Sequence, residues 1–293
     1  MPATFLDALC GFRSDPKDSE TTSSNPNTSD RSDAISVALG RMLFEILGVP
    51  ADRKGPTKIG EAMGHEIIGD LASRVGSGLA VGSGSATGFR QYSHLKAFSD
   101  FKRDVEKFSD FQIQEIVDAV RGLPSSPTRG DVLRKLNQLK NRLDKRNTLI
   151  ARLLTNAPEE SLLGLDVTIS DITAEEPREL RTALSLKWSL RTDRAQDCLS
   201  QGAKLASLRR GRMPHYGVVT MEPRPYMLAI LCDGSGAVDF VYHLHLEAVQ
   251  EAVKRLALER GDSDRWQGVR TLERLVGQGR LRDYDDLIKE TAS

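Results

Sequence analysis

Asp166 and Lys187 form the first combination of side chains in the sequence that suggests catalysis. The segment TALSLKW, residues 182–188, reads as a strand, and its alternation puts Ser185 and Lys187 on the polar face. In LDVTIS, residues 165–170, the same alternation turns Asp166 away from the apolar side chains. Twenty residues separate Asp166 from Lys187, which leaves room for a hairpin turn between the two strands.

An acidic residue and a lysine on adjacent strands are typical of metal-dependent nucleases. The carboxylate holds Mg²⁺, and the ammonium group orients the attacking water or helps to deprotonate it. Because Asp and Lys meet on short strands in many proteins, this spacing alone is weak evidence. Asp171, five residues after Asp166, is a rival for the metal-binding position.

The segment that follows Lys187 could read DNA bases. WSLRTDRAQDC places Arg191, Asp193 and Arg194 where a strand passes into a helix. Arginine can donate two hydrogen bonds to guanine, and a carboxylate can accept one from cytosine. The alternative is a solvated helix start that carries an Arg–Asp ion pair.

A basic stretch continues beyond this junction. Residues 187–215 contain seven Lys or Arg side chains against two Asp, a net charge of +5, and Arg209 and Arg210 are among them. Such a cluster could contact phosphates of nucleic acid. The alternative is a basic turn at a helix end.

At these residues the chain resembles the NgoMIV family of type II restriction endonucleases. Residues 183–244 carry Ser-x-Lys-Trp-x-x-Arg-x-Asp-Arg-Ala-Gln, then Arg-x-Pro-His, Val-Val-Thr-x-Glu-Pro and Val-Tyr-His. Weaker similarity extends to FRQYSHL, residues 89–95, and GHEIIGDL, residues 64–71. Residues from about 99 to 160 do not align with the family.

The resemblance implies an α/β restriction-endonuclease-like fold and Mg²⁺-dependent cleavage of double-stranded DNA. It further implies a palindromic target with a CCGG core, such as GCCGGC, and a homotetramer built as a dimer of dimers. The residues it assigns to catalysis and metal binding are Asp166, Ser185, Leu186 through its carbonyl group, Lys187 and Glu66. Arg191, Asp193 and Arg194 match the residues that read the CCGG core.

Two positions depart from the family pattern. Gln201 stands where the family usually has a glutamate, and an amide is a poor Mg²⁺ ligand, so Asp197 or Glu66 is an alternative second acid. Met227 stands where the family has an arginine that reads the outer base pair. Arg224, three residues earlier, is the alternative DNA contact.

The helices and strands predicted around these residues indicate a mixed α/β fold. Helical spacing is found at about 35–47, 58–74, 99–121, 130–154 and 192–210. Two or three further helices are predicted around 246–259, 263–277 and 281–290. Strands are predicted at 165–170, 182–188, 216–221, 226–232 and 238–244. The glycine-rich residues 75–89 suggest a flexible loop.

The domain organisation follows from these elements. Residues 1–33 are expected to be a mobile N-terminal segment, because residues 13–33 contain almost nothing that could enter a core. Residues 34–293 are expected to form one restriction-endonuclease-like domain, with a helical insert at about 99–160. Ser32 is a plausible N-cap for the first helix of that domain.

Composition sets outer bounds on function. The 293 residues include three cysteines, far apart and without a C-x-x-C pair, which argues against a disulfide framework. With no long apolar run, we expect a cytoplasmic bacterial protein without a membrane partner. The 41 basic and 41 acidic residues cancel, which seen alone disfavours a nucleic-acid binder, although the local charge of +5 around Lys187 reverses that inference.

Two other functions stay open. Gln201 raises the alternative of a sequence-specific DNA-binding protein that has lost cleavage. A repair nuclease that cuts by DNA structure is a third possibility, against which the three base-reading side chains argue.

Overall fold

The computed structural model describes residues 3, 5–13, 25–96, 100, 111–156, 163–172, 176–234, 236–261 and 265–292. The chain divides into two compact units. Residues 1–91 and 163–293 form the first unit, and residues 92–162 form the second.

The described helices of the first unit are α1 (Leu6–Leu9), α2 (Ala34–Ile46), α3 (Ile59–Arg74), α6 (Thr192–Leu208), α7 (Pro225–Cys232), α8 (Leu246–Glu259), α9 (Gln267–Gly277) and α10 (Tyr284–Ala292). Its strands are β1 (Phe12–Arg13), β2 (Asn25–Pro26), β3 (Leu79–Ser85), β4 (Gly164–Asp171), β5 (Leu180–Lys187), β6 (His215–Thr220), β7 (Phe240–His243) and β8 (Leu281–Asp283). The second unit contains α4 (Phe111–Arg121) and α5 (Pro127–Asn156). Short 3₁₀ helices cover Ala86–Gly88 and Arg90–Leu95.

A six-stranded mixed sheet, in the order β3-β4-β5-β6-β7-β8, is the centre of the first unit. β4 runs antiparallel to both of its neighbours, β3 and β5, and β5 to β8 run parallel to one another. The predicted hairpin pairing is confirmed, with Val167 opposite Leu184 in β4 and β5. Since helices flank this sheet, the architecture is the predicted restriction-endonuclease-like fold.

The register puts the beginning of β4 beside the end of β5, which is what brings Asp166 and Lys187 to one end of the sheet. β3 carries a register shift between Gly82 and Gly84, next to this end of β4, and Gly84 has φ +150°. Only glycine adopts such a backbone readily. Gly82 and Gly84, predicted to lie in a flexible loop, therefore belong to a bulged edge strand.

The predicted strand at 226–232 is wrong, because this run forms helix α7. Pro225 occupies the first turn, where its missing N–H costs nothing, and Met227, Leu228 and Leu231 are buried at helical spacing. A short apolar run is compatible with a buried strand or a buried helix, so the pattern alone could not distinguish them. The strand pattern also missed residues 281–283, where β8 pairs with β7.

Part of the N-terminal segment is packed, contrary to the expected mobility up to residue 33; residues 14–24 lie outside the described chain. Asn27, Thr28 and Ser29 are buried. The Thr28 hydroxyl donates to the Met221 carbonyl at 2.6 Å, and the Asn27 side chain accepts a hydrogen bond from the Trp188 indole at 2.9 Å. Composition missed this because polar side chains are stable in the interior when their hydrogen bonds are made.

The structure corrects the predicted N-cap of α2 and agrees with the prediction for the cysteines. The N-cap of α2 is Asp33, whose carboxylate accepts the N–H groups of Ile35 and Ser36, and not Ser32. The three cysteines are free, as predicted, and all of them are buried. Across the described residues, no helix combines the length and the apolar character needed to cross a membrane.

We predict that His243 makes stability depend on pH. It is fully buried, its Nδ1 accepts the His245 N–H, and burial lowers its pKa from 6.5 to about 4. Between pH 4 and pH 6.5, His243 therefore binds a proton in the unfolded chain and not in the folded protein. Its contribution to the free energy of unfolding, about 3 kcal/mol, is fully present above pH 6.5 and is lost as the pH falls towards 4.

Urea denaturation at about pH 7.5 and about pH 4.5 tests this linkage, with His243→Asn as the comparison. The variant should lose less stability on acidification than the wild type. An equal loss in both proteins would show that other groups cause the acid sensitivity.

Candidate active site

A cleft of about 670 Å³ lies at the end of the sheet where β4 begins and β5 ends. Asp166 and Lys187 line it from the sheet, and Glu61 and His65 line it from α3. Leu186 lines it as well. The cleft therefore joins a carboxylate and an ammonium group from neighbouring strands with an acid that the sequence analysis did not select.

The Asp166 carboxylate is held by the strand next to it. Its Oδ2 accepts the Leu186 N–H at 2.8 Å and the Ser185 hydroxyl at 3.3 Å. Its Oδ1 has no hydrogen-bond partner among the described residues. Because Ser185 is only 1% exposed, it orients Asp166 and is not itself accessible to a substrate.

Lys187 ends β5 with its side chain half-buried in the cleft wall. Within the described part of the chain, no ion pair or hydrogen bond occupies its ammonium group. The nearby Cys198 thiol is buried and donates to Ser185 at 3.6 Å, and burial raises its pKa. The Lys187 ammonium group is thus available to a substrate in this cleft. Cys198 is buried and contributes to packing.

Glu66, the expected acid of α3, is not among the residues that line the cleft, whereas Glu61 is. Five residues along a helix correspond to a rotation of roughly 140° from one side chain to the other. Met63 and Ile67 point into the core, so Glu61 and Glu66 lie on opposite sides of that buried stripe. The helical periodicity of these apolar residues separates Glu61 from Glu66, but it does not identify which of the two faces the cleft.

The other acids considered for the metal lie elsewhere. Asp171 is at the far end of β4 and forms an ion pair with Arg181 at 2.8 Å. Asp197 is exposed on α6 and is not part of the cleft lining. The structure therefore brings Asp166, and neither of these two, together with Lys187.

Gln201 forms a structural link that a glutamate could not form. Its amide nitrogen donates to the Gly164 carbonyl, two residues before Asp166, and its amide oxygen accepts the Tyr216 hydroxyl at 2.9 Å. A carboxylate could replace the acceptor and not the donor. Gln201 does not line the cleft, so its hydrogen bond to Gly164 holds the start of β4 from outside the cleft.

We predict that Gln201→Glu lowers the free energy of unfolding by about 1 kcal/mol at neutral pH, because two oxygens would then face each other at this exposed contact with Gly164. Urea denaturation measures this loss. Gln196→Glu, at an exposed position of the same helix, is the matched control and should leave stability nearly unchanged. A Gln201→Glu protein as stable as the wild type would mean that the Gly164 contact is dispensable.

The predicted base-reading residues lie together at the start of α6. Arg191, Asp193 and Arg194 are all exposed, and Arg194 Nη1 donates to the Ser189 carbonyl at 3.3 Å. Arg191 Nε lies 3.7 Å from the Asp30 carboxylate. The segment begins four residues after Lys187, so it adjoins the cleft in the chain and its side chains are accessible.

Positive charge accumulates next to this segment. Burial lowers the pKa of Arg13, and the charges of Arg31, Arg194 and Arg191 lower it further. The N-terminal segment thus adds arginines to the same surface. A concentration of like charge of this kind favours a polyanion such as DNA.

Arg209 and Arg210 do not belong to that surface, although the sequence analysis counted them in one basic stretch. Both are exposed after the end of α6, which spans 17 residues. At 1.5 Å per residue the helix is about 25 Å long, so these arginines lie at its opposite end from Arg191. The charge of +5 is therefore divided between two places.

Arg224, expected to contact DNA, lies in the interior instead. Its side chain is 3% exposed and forms an ion pair with the fully buried Glu222 at 2.6 Å. Burial raises the pKa of Glu222, and the bonds from Arg224 oppose that rise. A side chain enclosed in this way cannot reach a base edge.

The donor set of the cleft suits a hard divalent cation. Asp166 and Glu61 supply carboxylate oxygens, and Mg²⁺ is usually bound by one or two carboxylates together with water and substrate phosphates. Three or more His, Cys, Asp or Glu side chains do not gather into a metal-binding group anywhere in the described chain. The residues present thus fit a cation that shares its ligands with a substrate.

The chain is similar to known proteins over the part that contains this site. Residues 159–292 match the family model described as NgoMIV restriction enzyme. The chain is 35% identical over 108 residues to the type II restriction enzyme NgoMIV of Neisseria gonorrhoeae, a match that covers 37% of this chain and 35% of that relative. The chain thus aligns with about a third of the relative's length. Over residues 159–292, the chain is therefore similar to the NgoMIV restriction enzyme family.

Proposed function

We propose that this protein is a type II restriction endonuclease that hydrolyses double-stranded DNA at a palindrome with a CCGG core. The observation that carries the proposal is the joint presence of Asp166, Lys187 and Glu61 in one cleft, next in the chain to the exposed Arg191, Asp193 and Arg194. The match to the NgoMIV restriction enzyme family supports the same activity.

In this proposal, each residue has one task. Asp166 would hold Mg²⁺, with Glu61 and the Leu186 carbonyl group as further ligands. Such an ion would supply neutralising charge at the scissile phosphate and activation of water. Lys187 orients the attacking water in line with the leaving 3′ oxygen, and Ser185 keeps Asp166 in place through its hydrogen bond.

Arg191, Asp193 and Arg194 would read the G·C pairs of the core. Two arginines on guanines and one carboxylate on cytosine give a complementary pattern in the major groove. A palindromic site presents the same edges twice, so two copies of the chain would face it across a two-fold axis. A homotetramer of two such dimers is the assembly that we propose, and sedimentation equilibrium with and without DNA tests it.

The direct experiment is incubation of the purified protein with plasmid DNA that contains mapped CCGG sites, with Mg²⁺ and with EDTA. Discrete fragments that end at CCGG and require the metal are expected. Tight binding to a CCGG duplex without cutting in Mg²⁺ or Mn²⁺ would favour a DNA-binding protein that has lost cleavage. Neither binding nor cutting would exclude both functions.

Glu61 and Glu66 offer a matched comparison for the second acid. We predict that Glu61→Gln slows Mg²⁺-dependent cleavage by about tenfold or more, because a carboxylate charge is lost from the cleft that Asp166 also lines. Glu66→Gln, on the other side of α3, should cut at nearly the wild-type rate. Initial rates at several Mg²⁺ concentrations measure both, and the reverse order would assign the role to Glu66.

A further inference from the structure

Both backbone polar groups of Leu190 are bound by one pair of side chains. The Leu190 N–H donates to Glu222 Oε2 at 2.6 Å, and the Leu190 carbonyl accepts from Arg224 Nη2 at 2.5 Å. Leu190 is buried and immediately precedes Arg191. The backbone at the entrance to the base-reading segment is therefore fixed in position and direction.

The pair is rigid because its own bonds are nearly saturated. Arg224 donates through Nε to Glu222 Oε1 at 2.6 Å and through Nη2 to Oε2 at 3.1 Å. The backbone N–H of Arg224 also donates to Oε1 at 3.1 Å. With Leu190, the Glu222 carboxylate thus accepts four hydrogen bonds while it is shielded from water.

The N-terminal segment completes the arrangement. Arg224 Nη1 donates to Asp33 Oδ2 at 3.2 Å and lies 3.8 Å from Asp30 Oδ2. Asp33 is the N-cap of α2, and Asp30 is the carboxylate that approaches Arg191. Arg224 therefore connects the buried pair with the carboxylates beside the exposed arginines.

Helix α6 lacks the usual means of fixing its own start. Its N-cap is Arg191, and no side chain caps the first turn. A free helix start can shift, and a displacement of about 1 Å is enough to spoil bidentate contacts with base edges. The hydrogen bonds to Leu190, which lies between the end of β5 and the start of α6, hold the start of this helix in place.

Stability alone does not explain a buried ion pair at this place. Apolar side chains of similar volume often stabilise an interior as well as a buried pair does, or better, and the best supported use of such pairs is to select one conformation. The conformation selected here is that of the segment that carries Arg191, Asp193 and Arg194.

We propose that Glu222 and Arg224 are positioning residues that set the fidelity of DNA recognition by fixing the Leu190 backbone, without touching DNA themselves. The proposal rests on the function proposed above. It predicts that loss of the pair relaxes sequence discrimination more than it slows cutting at the correct site.

The test compares cleavage of a CCGG duplex with cleavage of duplexes that carry one altered base pair. Arg224→Lys and Glu222→Gln should each lower the ratio of these rates by about tenfold, the discrimination equivalent to one weakened bidentate contact. The double variant Glu222→Met with Arg224→Met should regain stability relative to a single variant and still discriminate poorly. Unchanged ratios in these proteins would overturn the proposal.

Two controls separate fidelity from general destabilisation. Arg274→Lys changes an exposed ion pair with Asp233 in the same chemical way, and Leu275→Ala destabilises the core at α9. Both should keep the wild-type ratio. An equal loss of fidelity in Leu275→Ala would show that any destabilisation suffices, and would also overturn the proposal.

Amide hydrogen exchange gives a readout that does not depend on cleavage. In the free Arg224→Lys protein, amides of residues 190–195 should exchange faster than in the wild type and in Leu275→Ala. Unchanged exchange would refute the fixing of Leu190. If the wild type itself shows no preference for CCGG, the proposed function fails, and hydrogen exchange still decides whether the pair holds the segment.

Discussion

Asp166→Asn should reduce Mg²⁺-dependent cleavage by about 10³-fold or more, because the amide removes the ligand charge that would hold the cation. Loss of that ion forfeits several kcal/mol of charge stabilisation at the scissile phosphate. The amide oxygen can still accept the Ser185 and Leu186 hydrogen bonds, so β4 and β5 should stay paired. Single-turnover cleavage of plasmid DNA at saturating protein measures the loss.

Asp171→Asn is the matched control for this change. Asp171 lies on the same strand, five residues away, and its replacement weakens the ion pair with Arg181 at a partly exposed position. Such pairs contribute little to stability, and Asp171 is outside the cleft lining. Cutting should therefore persist. If Asp166→Asn still cut DNA and Asp171→Asn did not, the metal would have to be assigned to Asp171.

Alternation along the strands predicted that Asp166 and Lys187 face away from the apolar side chains, and the predicted hairpin placed the two residues at one end of the sheet. Side chains of a strand point to alternate faces whatever the tertiary structure, so the polar positions of residues 165–170 and 182–188 could be read directly. The family resemblance added the chemical assignment. It did not settle which face of α3 meets the sheet, because similarity over GHEIIGDL names a helix and not its rotation.

Tertiary placement explains most of what the sequence could not predict. The basic stretch from Lys187 to residue 215 is contiguous in sequence, yet an intervening helix of about 25 Å separates its ends. In the same way, Arg224 looked accessible because arginines usually are. Its burial depends on Glu222, on Asp33 and on the carbonyl of Leu190, which belong to different parts of the fold.

Lys187→Ala should abolish cutting and leave DNA binding nearly intact, which distinguishes a chemical role from a binding role. The ammonium group has no partner among the described residues, so its removal leaves no buried carboxylate unpaired and should cost little stability. Without it, the attacking water loses its orientation and a nearby positive charge, a loss of about 10³-fold in the cleavage rate. Binding of a CCGG duplex, measured with Ca²⁺ in place of Mg²⁺, should stay within about threefold, since one phosphate contact among many carries little of the affinity.

Lys204→Ala is the control, because Lys204 is an exposed lysine on α6 outside the cleft lining. It should leave both the rate and the affinity unchanged. Parallel losses of cutting and affinity in Lys187→Ala would make Lys187 a phosphate contact only. If the Lys187→Ala protein cut DNA at the wild-type rate, Lys187 would have no role in the reaction. The main reason for placing the active site where β4 begins and β5 ends would then be lost.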